Sequence, residues 1–266
     1  MITKTKSGFM ARLPSALLTG LLLLSACAPA VPATPLHVTD VPTVVVPTEV
    51  TSGFSFDMAG MATGSHVETL PSTAGSDVAP WELLPEYSVV TLEGYPIGDH
   101  QVKPQIFIYP AAELGQVNPG AGQIVASLQT LLSSPQEIPN MPFLPLYNAT
   151  QVFHAQIQYL DFKNGKGLRY VTEFAQGMLP INNYDLIYAY QGLTNDGKYY
   201  VAAVLPINHP SLPADGKITG NEPLEFTNDF PAYVANVASS LNTSAANTFG
   251  LDLANLDAIM SSLEIK

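Results

Sequence analysis

The chain has 266 residues, and 22 acidic residues against 10 basic ones leave a net charge of −12 at neutral pH. Such a charge repels phosphate backbones and anionic lipid surfaces, which sets nucleic acid aside as a partner. A single cysteine excludes an internal disulfide and a cysteine-built metal site.

The N-terminus has three zones. Lys4, Lys6 and Arg12 make a basic start, Leu13 to Leu24 are apolar, and Ser25 and Ala26 are small. A spanning helix needs about 20 apolar residues, so this shorter run reads as a cleaved export signal over residues 1–26. Leu24-Ser25-Ala26-Cys27 resembles the lipobox of bacterial lipoproteins. The resemblance implies that the Cys27 thiol receives a diacylglyceryl group and that the chain is cut just before it. Two or more acyl chains hold a protein stably at a bilayer where one does not. The implied product is exported, lipid-anchored to the cell membrane through Cys27, and faces outside or the periplasm. Residues 1–26 hold three basic residues and no acidic one, so their removal takes the net charge to −15.

After Cys27, residues 28–52 contain five Pro, five Thr and seven Val, with Asp40 and Glu49 as the only charges. Proline at 29, 32, 35, 42 and 47 favours extended chain. At about 3.1 Å per residue this segment reaches roughly 75 Å, which suits a tether. Residues 53–266 have globular composition and are expected to form one domain. Within it, Met58 to Pro80 is rich in Gly, Ser and Ala and reads as loose chain with at most short strands.

Strands are expected at Ser88–Leu92 and Gln105–Tyr109, then a helix over Ala121–Ser134 with Ile124, Leu128, Leu131 and Leu132 on one face. Two hairpins follow. In Gln151–Gln176 a two-residue turn at Asn164-Gly165 pairs Tyr159 with Tyr170 and Gln156 with Glu173. That register puts Phe153, Ala155, Ile157, Tyr159, Leu168, Tyr170 and Phe174 on a core face. The second hairpin, Asp185–Leu205, turns at Asn195-Asp196-Gly197 with a three-residue loop, and its two apolar faces place it centrally. Pro206–Asn228 reads as a long crossing loop. Asp229 with Pro231 starts a helix to about Leu241, and Leu253, Leu256, Met260 and Leu263 stripe another beginning near Asp252. Strands, helix, hairpins and helices in this order predict α+β, an antiparallel sheet built from hairpins with helices packed on it. The strand DGKYYVAAVLP, the next helix and the terminal LDAIMSSLEI resemble the PsbP-like proteins, which implies an α/β/α sandwich. The family usually has an aromatic residue where Leu263 stands. No activity, partner or ion is implied.

Serine-elbow, zincin, Walker and dinucleotide motifs are absent, and no cofactor or metal is expected. His100, beside Asp99, reads as a turn residue, and His209 as part of the long loop. On the register above, the second face of the first hairpin carries His154, Gln156, Gln158, Arg169 and Glu173. Arg169 would hold an anionic group while His154 and Glu173 exchange hydrogen bonds with it, a candidate binding site. The leading expectation is a non-catalytic binding or interaction domain for a cell-envelope protein or a small molecule. A surface hydrolase with scattered residues and a small solute-binding lipoprotein are the alternatives.

Overall fold

The computed structural model describes residues 48–266, apart from Ser52, Ala74 and Ser76. The signal segment, Cys27 and most of the expected tether lie outside them. The described chain begins with β1 (Thr48–Thr51), which pairs antiparallel with β2 (Phe54–Asp57). Sheet structure thus reaches four residues into the segment expected to be tether. The C-terminal β10 (Glu264–Ile265) completes a three-stranded sheet on the other side of β2.

The main sheet has seven antiparallel strands: β3 (Gly64–Leu70), β4 (Tyr87–Glu93), β5 (Gln105–Pro110), β6 (Thr150–Tyr159), β7 (Gly165–Ala175), β8 (Ile187–Thr194) and β9 (Tyr199–Pro206). Their order is β3-β4-β5-β9-β8-β7-β6. The helices are α1 (Ala111–Val117), α2 (Pro119–Ser133), α3 (Leu224–Asn228), α4 (Phe230–Thr243) and α5 (Leu253–Ser262). The α+β expectation is met.

Two cores follow from alternation along the strands. Ile106, Val171, Tyr188, Tyr190, Val201 and Ala203 pack with Leu241 of α4 and Leu256 and Met260 of α5. Their neighbours Phe107, Tyr170, Ala189, Tyr200 and Ala202 pack on the opposite side with Leu114 of α1 and Leu128 and Leu131 of α2. Every residue of β8 is buried, as a central strand covered on both faces requires. The helix stripes and starts match expectation. Asn118, Asp229 and Asp252 cap α2, α4 and α5 by accepting the N–H groups of Ala121, Ala232 and Ala254.

Three expectations are corrected. The supposedly loose 58–80 segment contains the seven-residue edge strand β3. Its alternation is weak because His66, Glu68 and Thr69 face solvent, while Val67 packs on one core and Leu70 on the other, a composition that suits an unpaired edge. The second hairpin's loop spans four residues, between Thr194 and Tyr199, with Gly197 at φ +70°. The first hairpin turns at Lys163-Asn164, flanked by a bridge between Phe162 and Gly165. Asn164 is taken by β10: its side chain accepts from Ile265 N at 3.0 Å and donates back to the Ile265 carbonyl. Gly165 lies against the Phe162 ring, where a Cβ would sit 2.0 Å from it.

That shift and two bulges in β6 change which side chains share a face. Gln156 and Ile157 together stand opposite Tyr170, with Gln156 at φ +56°. Phe153 and Ala155 therefore join Val171 under α4 and α5, while Leu168 and Tyr170 face α2. Ile157 and Tyr159, expected in the core, are 42% and 41% exposed.

Close approach also governs Gly167. A Cβ there would meet the Tyr190 hydroxyl at 2.1 Å, and that hydroxyl donates to the Leu160 carbonyl at 2.8 Å. Gly167→Ala is expected to destabilise the domain by about 1–3 kcal/mol through overpacking. Urea unfolding followed by tyrosine fluorescence measures it, and an unchanged midpoint would mean that the tyrosine moves aside freely.

Candidate functional site

The five residues expected to form a site do not share an open face. Arg169 is buried; its Nε is 3.2 Å from Asp257 Oδ1 on α5, and its other nitrogens bond Gln158 Oε1 at 2.9 Å and the Gln156 carbonyl. The Gln156 amide donates to the carbonyls of Leu241 and Ser244 at 2.7 and 2.8 Å, satisfying the end of α4. Glu173 is buried further along β7, where its Oε2 accepts Asn182 N–H at 3.1 Å. Burial pushes its carboxyl up to about 8, with the neighbouring Asp185 adding to the rise. His154 pairs with Thr172 and, by alternation, points to the opposite face. There it sits near Glu137 at the β6 edge, with its pKa lowered by burial. Gln156, Gln158 and Arg169 are thus tied into contacts with α4 and α5, with the guanidinium already neutralised by Asp257, while His154 and Glu173 lie apart from them.

A cleft lies instead at one end of the sheet, where β7 stops and β8 and β5 begin. Two adjacent asparagines organise this end. Asn182 Oδ1 accepts the N–H groups of Tyr184 and Asp185 at 2.9 and 3.2 Å. Its Nδ2 donates to the Pro180 carbonyl at 3.0 Å and to Asp185 Oδ2 at 2.8 Å. Asn183 does the same for the long loop. Its side chain accepts His209 N–H at 2.7 Å and donates to the His209 and Leu212 carbonyls at 3.2 and 3.0 Å. The loop is thereby docked onto the 176–186 connection, a role that buried amides fill well.

His100 fixes a third loop. Val102 N–H donates to its Nδ1 at 3.2 Å, so the proton is on Nε2, which donates to the Leu186 carbonyl at 2.8 Å. Burial lowers its pKa, which keeps the ring neutral with both nitrogens used. A fourth loop is held by an aromatic cluster: Phe174 lies 4.4 Å from Phe143 and 5.2 Å, edge-on, from Tyr147. Gln176 Nε2 donates to the Asn148 carbonyl at 2.7 Å.

Between these loops is a cavity of 560 Å³ lined by Gln101, Val102, Tyr147, Asn148, Ala149, Phe174, Ala175, Gln176, Leu179, Asp185 and Ile187. Its volume falls in the range of small-molecule sites. The wall is aromatic and aliphatic on one side and carries three amides and one carboxylate. Burial pushes the Tyr147 hydroxyl up to about 12, so it stands as a neutral donor.

One pair resembles a nucleophile and its base. Ser211 Oγ lies 2.7 Å from His209 Nδ1. That nitrogen also receives the Ser211 backbone N–H at 3.3 Å, and Nε2 faces Thr248 Oγ1 at 3.4 Å in place of a carboxylate. The contact closes the His209-Pro210-Ser211 turn. Among the described residues no three His, Cys, Asp or Glu side chains converge as metal ligands, and no helix is long and apolar enough to cross a membrane.

Sequence reasoning missed this cleft because its lining comes from four separated segments. The signal was present in the Asn182-Asn183 pair between two hairpins and in the long loop it holds. Comparison of the chain with protein families, curated proteins and solved structures finds no match.

Proposed function

We propose that the protein is a lipid-anchored, extracytoplasmic binding protein that takes a small molecule in the cleft at the loop end of its sheet. The cleft carries the binding half of this reading. Its walls are held by side-chain hydrogen bonds from Asn182, Asn183 and His100, so it is formed before a ligand arrives. The anchoring half rests on Cys27 and the residues before it. The 20 residues from 28 to 47 separate Cys27 from β1. The resemblance to PsbP-like proteins enters this reading only through the layering of helices on both faces of an antiparallel sheet.

Cells expressing the full chain and fed a labelled fatty acid should incorporate label into the wild type and not into Cys27→Ser. The variant should also leave the membrane fraction or accumulate unprocessed. Equal labelling of the two proteins would remove the anchor from the proposal.

A further inference from the structure

We infer that the cleft selects an amphipathic organic cation, an ammonium or guanidinium on an apolar body, with Asp185 as the residue that meets the charge. This rests on the reading of the cleft as a binding site and names its ligand class. Asp185 is the only formally charged residue among those lining the cavity, and no lysine or arginine joins it. Its position is set beforehand. Asn182 holds Oδ2 at 2.8 Å and is itself buried and fixed by the Pro180 carbonyl. Oδ1 takes no hydrogen bond from the described residues, which leaves this lining residue with an acceptor to spare.

Nothing nearby competes for that acceptor. His100 is neutral with both nitrogens engaged, and Lys103, beside the lining residue Val102, is exposed and does not line the cavity. The buried Glu173 lies close enough that Asp185 adds to the rise of its carboxyl. An anionic ligand would therefore enter a site with a carboxylate and no counter-charge, which is strongly disfavoured. A cation gains a charge-assisted hydrogen bond there. Val102, Phe174, Leu179 and Ile187 offer it an apolar wall, and the rings of Phe174 and Tyr147 add attraction for positive charge. The chain's net charge of −12 also raises the local concentration of cations.

Three probes of similar shape test this on the full chain in detergent by ligand-observed NMR and calorimetry: 2-phenylethylammonium, 2-phenylethanol and 3-phenylpropanoate. Methyl β-glucoside serves as a neutral polyhydroxylated probe. The ammonium should bind, the alcohol more weakly, and the carboxylate not at all. Asp185→Asn should weaken the ammonium about tenfold to a hundredfold and leave the alcohol unchanged, as expected for one hydrogen bond to a charged group. Ala175→Trp, which fills the cavity, should abolish binding of both. If ammonium and alcohol bind equally and Asp185→Asn changes neither, the cation assignment is wrong while the cleft stands. Preferential binding of the glucoside, blocked by Ala175→Trp, also overturns it. If no probe binds in a way that Ala175→Trp prevents, the cleft reading itself fails.

Discussion

Arg169→Ala will destabilise the domain by about 3–5 kcal/mol, the cost of breaking a buried ion pair from one side. Arg169 sits in the sheet and Asp257 in α5, 88 residues apart, so the pair fastens the terminal helix to β7. Tyr188 joins them by donating its hydroxyl to Asp257 Oδ1 at 2.9 Å. Burial already outweighs the guanidinium and holds the Asp257 carboxyl above its ordinary range. Removing the cation strands a carboxylate between sheet and helix and frees the Gln156 carbonyl and the Gln158 side chain at once. The effect will appear as a lower urea midpoint with an unchanged slope. Replacing both partners, Arg169→Met with Asp257→Leu, should retain more stability than Arg169→Ala alone, because apolar groups leave no charge to solvate. A single-variant loss below about 1 kcal/mol would place the pair among screened surface bridges instead.

Glu173→Gln, in contrast, will stabilise the protein in alkaline solution. The Glu173 carboxyl is raised from its ordinary 4.5 to about 8 by burial. The folded state therefore holds a proton that the unfolded state releases between those values. Stability contributed by this group is full below about pH 4.5, falls as pH rises, and is lost above about 8. At 1.36 kcal/mol per unit, the whole excursion is of order 4–5 kcal/mol, an upper figure for a site that can relax. Asn182, Asp185 and, from α4, Tyr233 face the group. A glutamine keeps the acceptor for Asn182 N–H and never ionises. Wild type and variant should be about equally stable near pH 5 and diverge by roughly 2–4 kcal/mol by pH 9. His100, His154 and His209, whose pKa values burial lowers, make both proteins less stable as pH falls below about 6.5. That limb cancels in the comparison. Parallel pH profiles for the two proteins would show that Glu173 ionises in the fold without cost.

The candidate site shows where local reasoning stops. Reading the first hairpin from its Asn164-Gly165 signal was sound as turn chemistry. It failed because both residues have stronger uses in the fold: the asparagine pairs with β10, 101 residues away, and the glycine makes room for the Phe162 ring. A one-residue shift exchanges the faces of a strand, and the bulge at Gln156 compounds it. Three of the five polar residues, Gln156, Gln158 and Arg169, belong to the contacts that bind α4 and α5 to the sheet, while Glu173 holds the 176–186 connection. The same reasoning undervalued Asn182 and Asn183, because an amide that bridges two loops looks in sequence like any turn asparagine.

Periodicity, caps and turn residues were enough to define the class. An alternation of two or a stripe of period near four is a property of contiguous residues, so the hairpins, α2, α4 and α5 and the central place of β8 and β9 were legible from the chain alone. Register, the edge strand β3, the neutralisation of Arg169 and the cleft depend on which distant segments meet. Strand pairing and burial are decided by the summed packing of both cores, which overrides a turn preference worth a fraction of that energy. The place of Asp185 in the cleft is decided only there: Asn182 fixes one of its oxygens, and no lysine or arginine lines the cavity beside it.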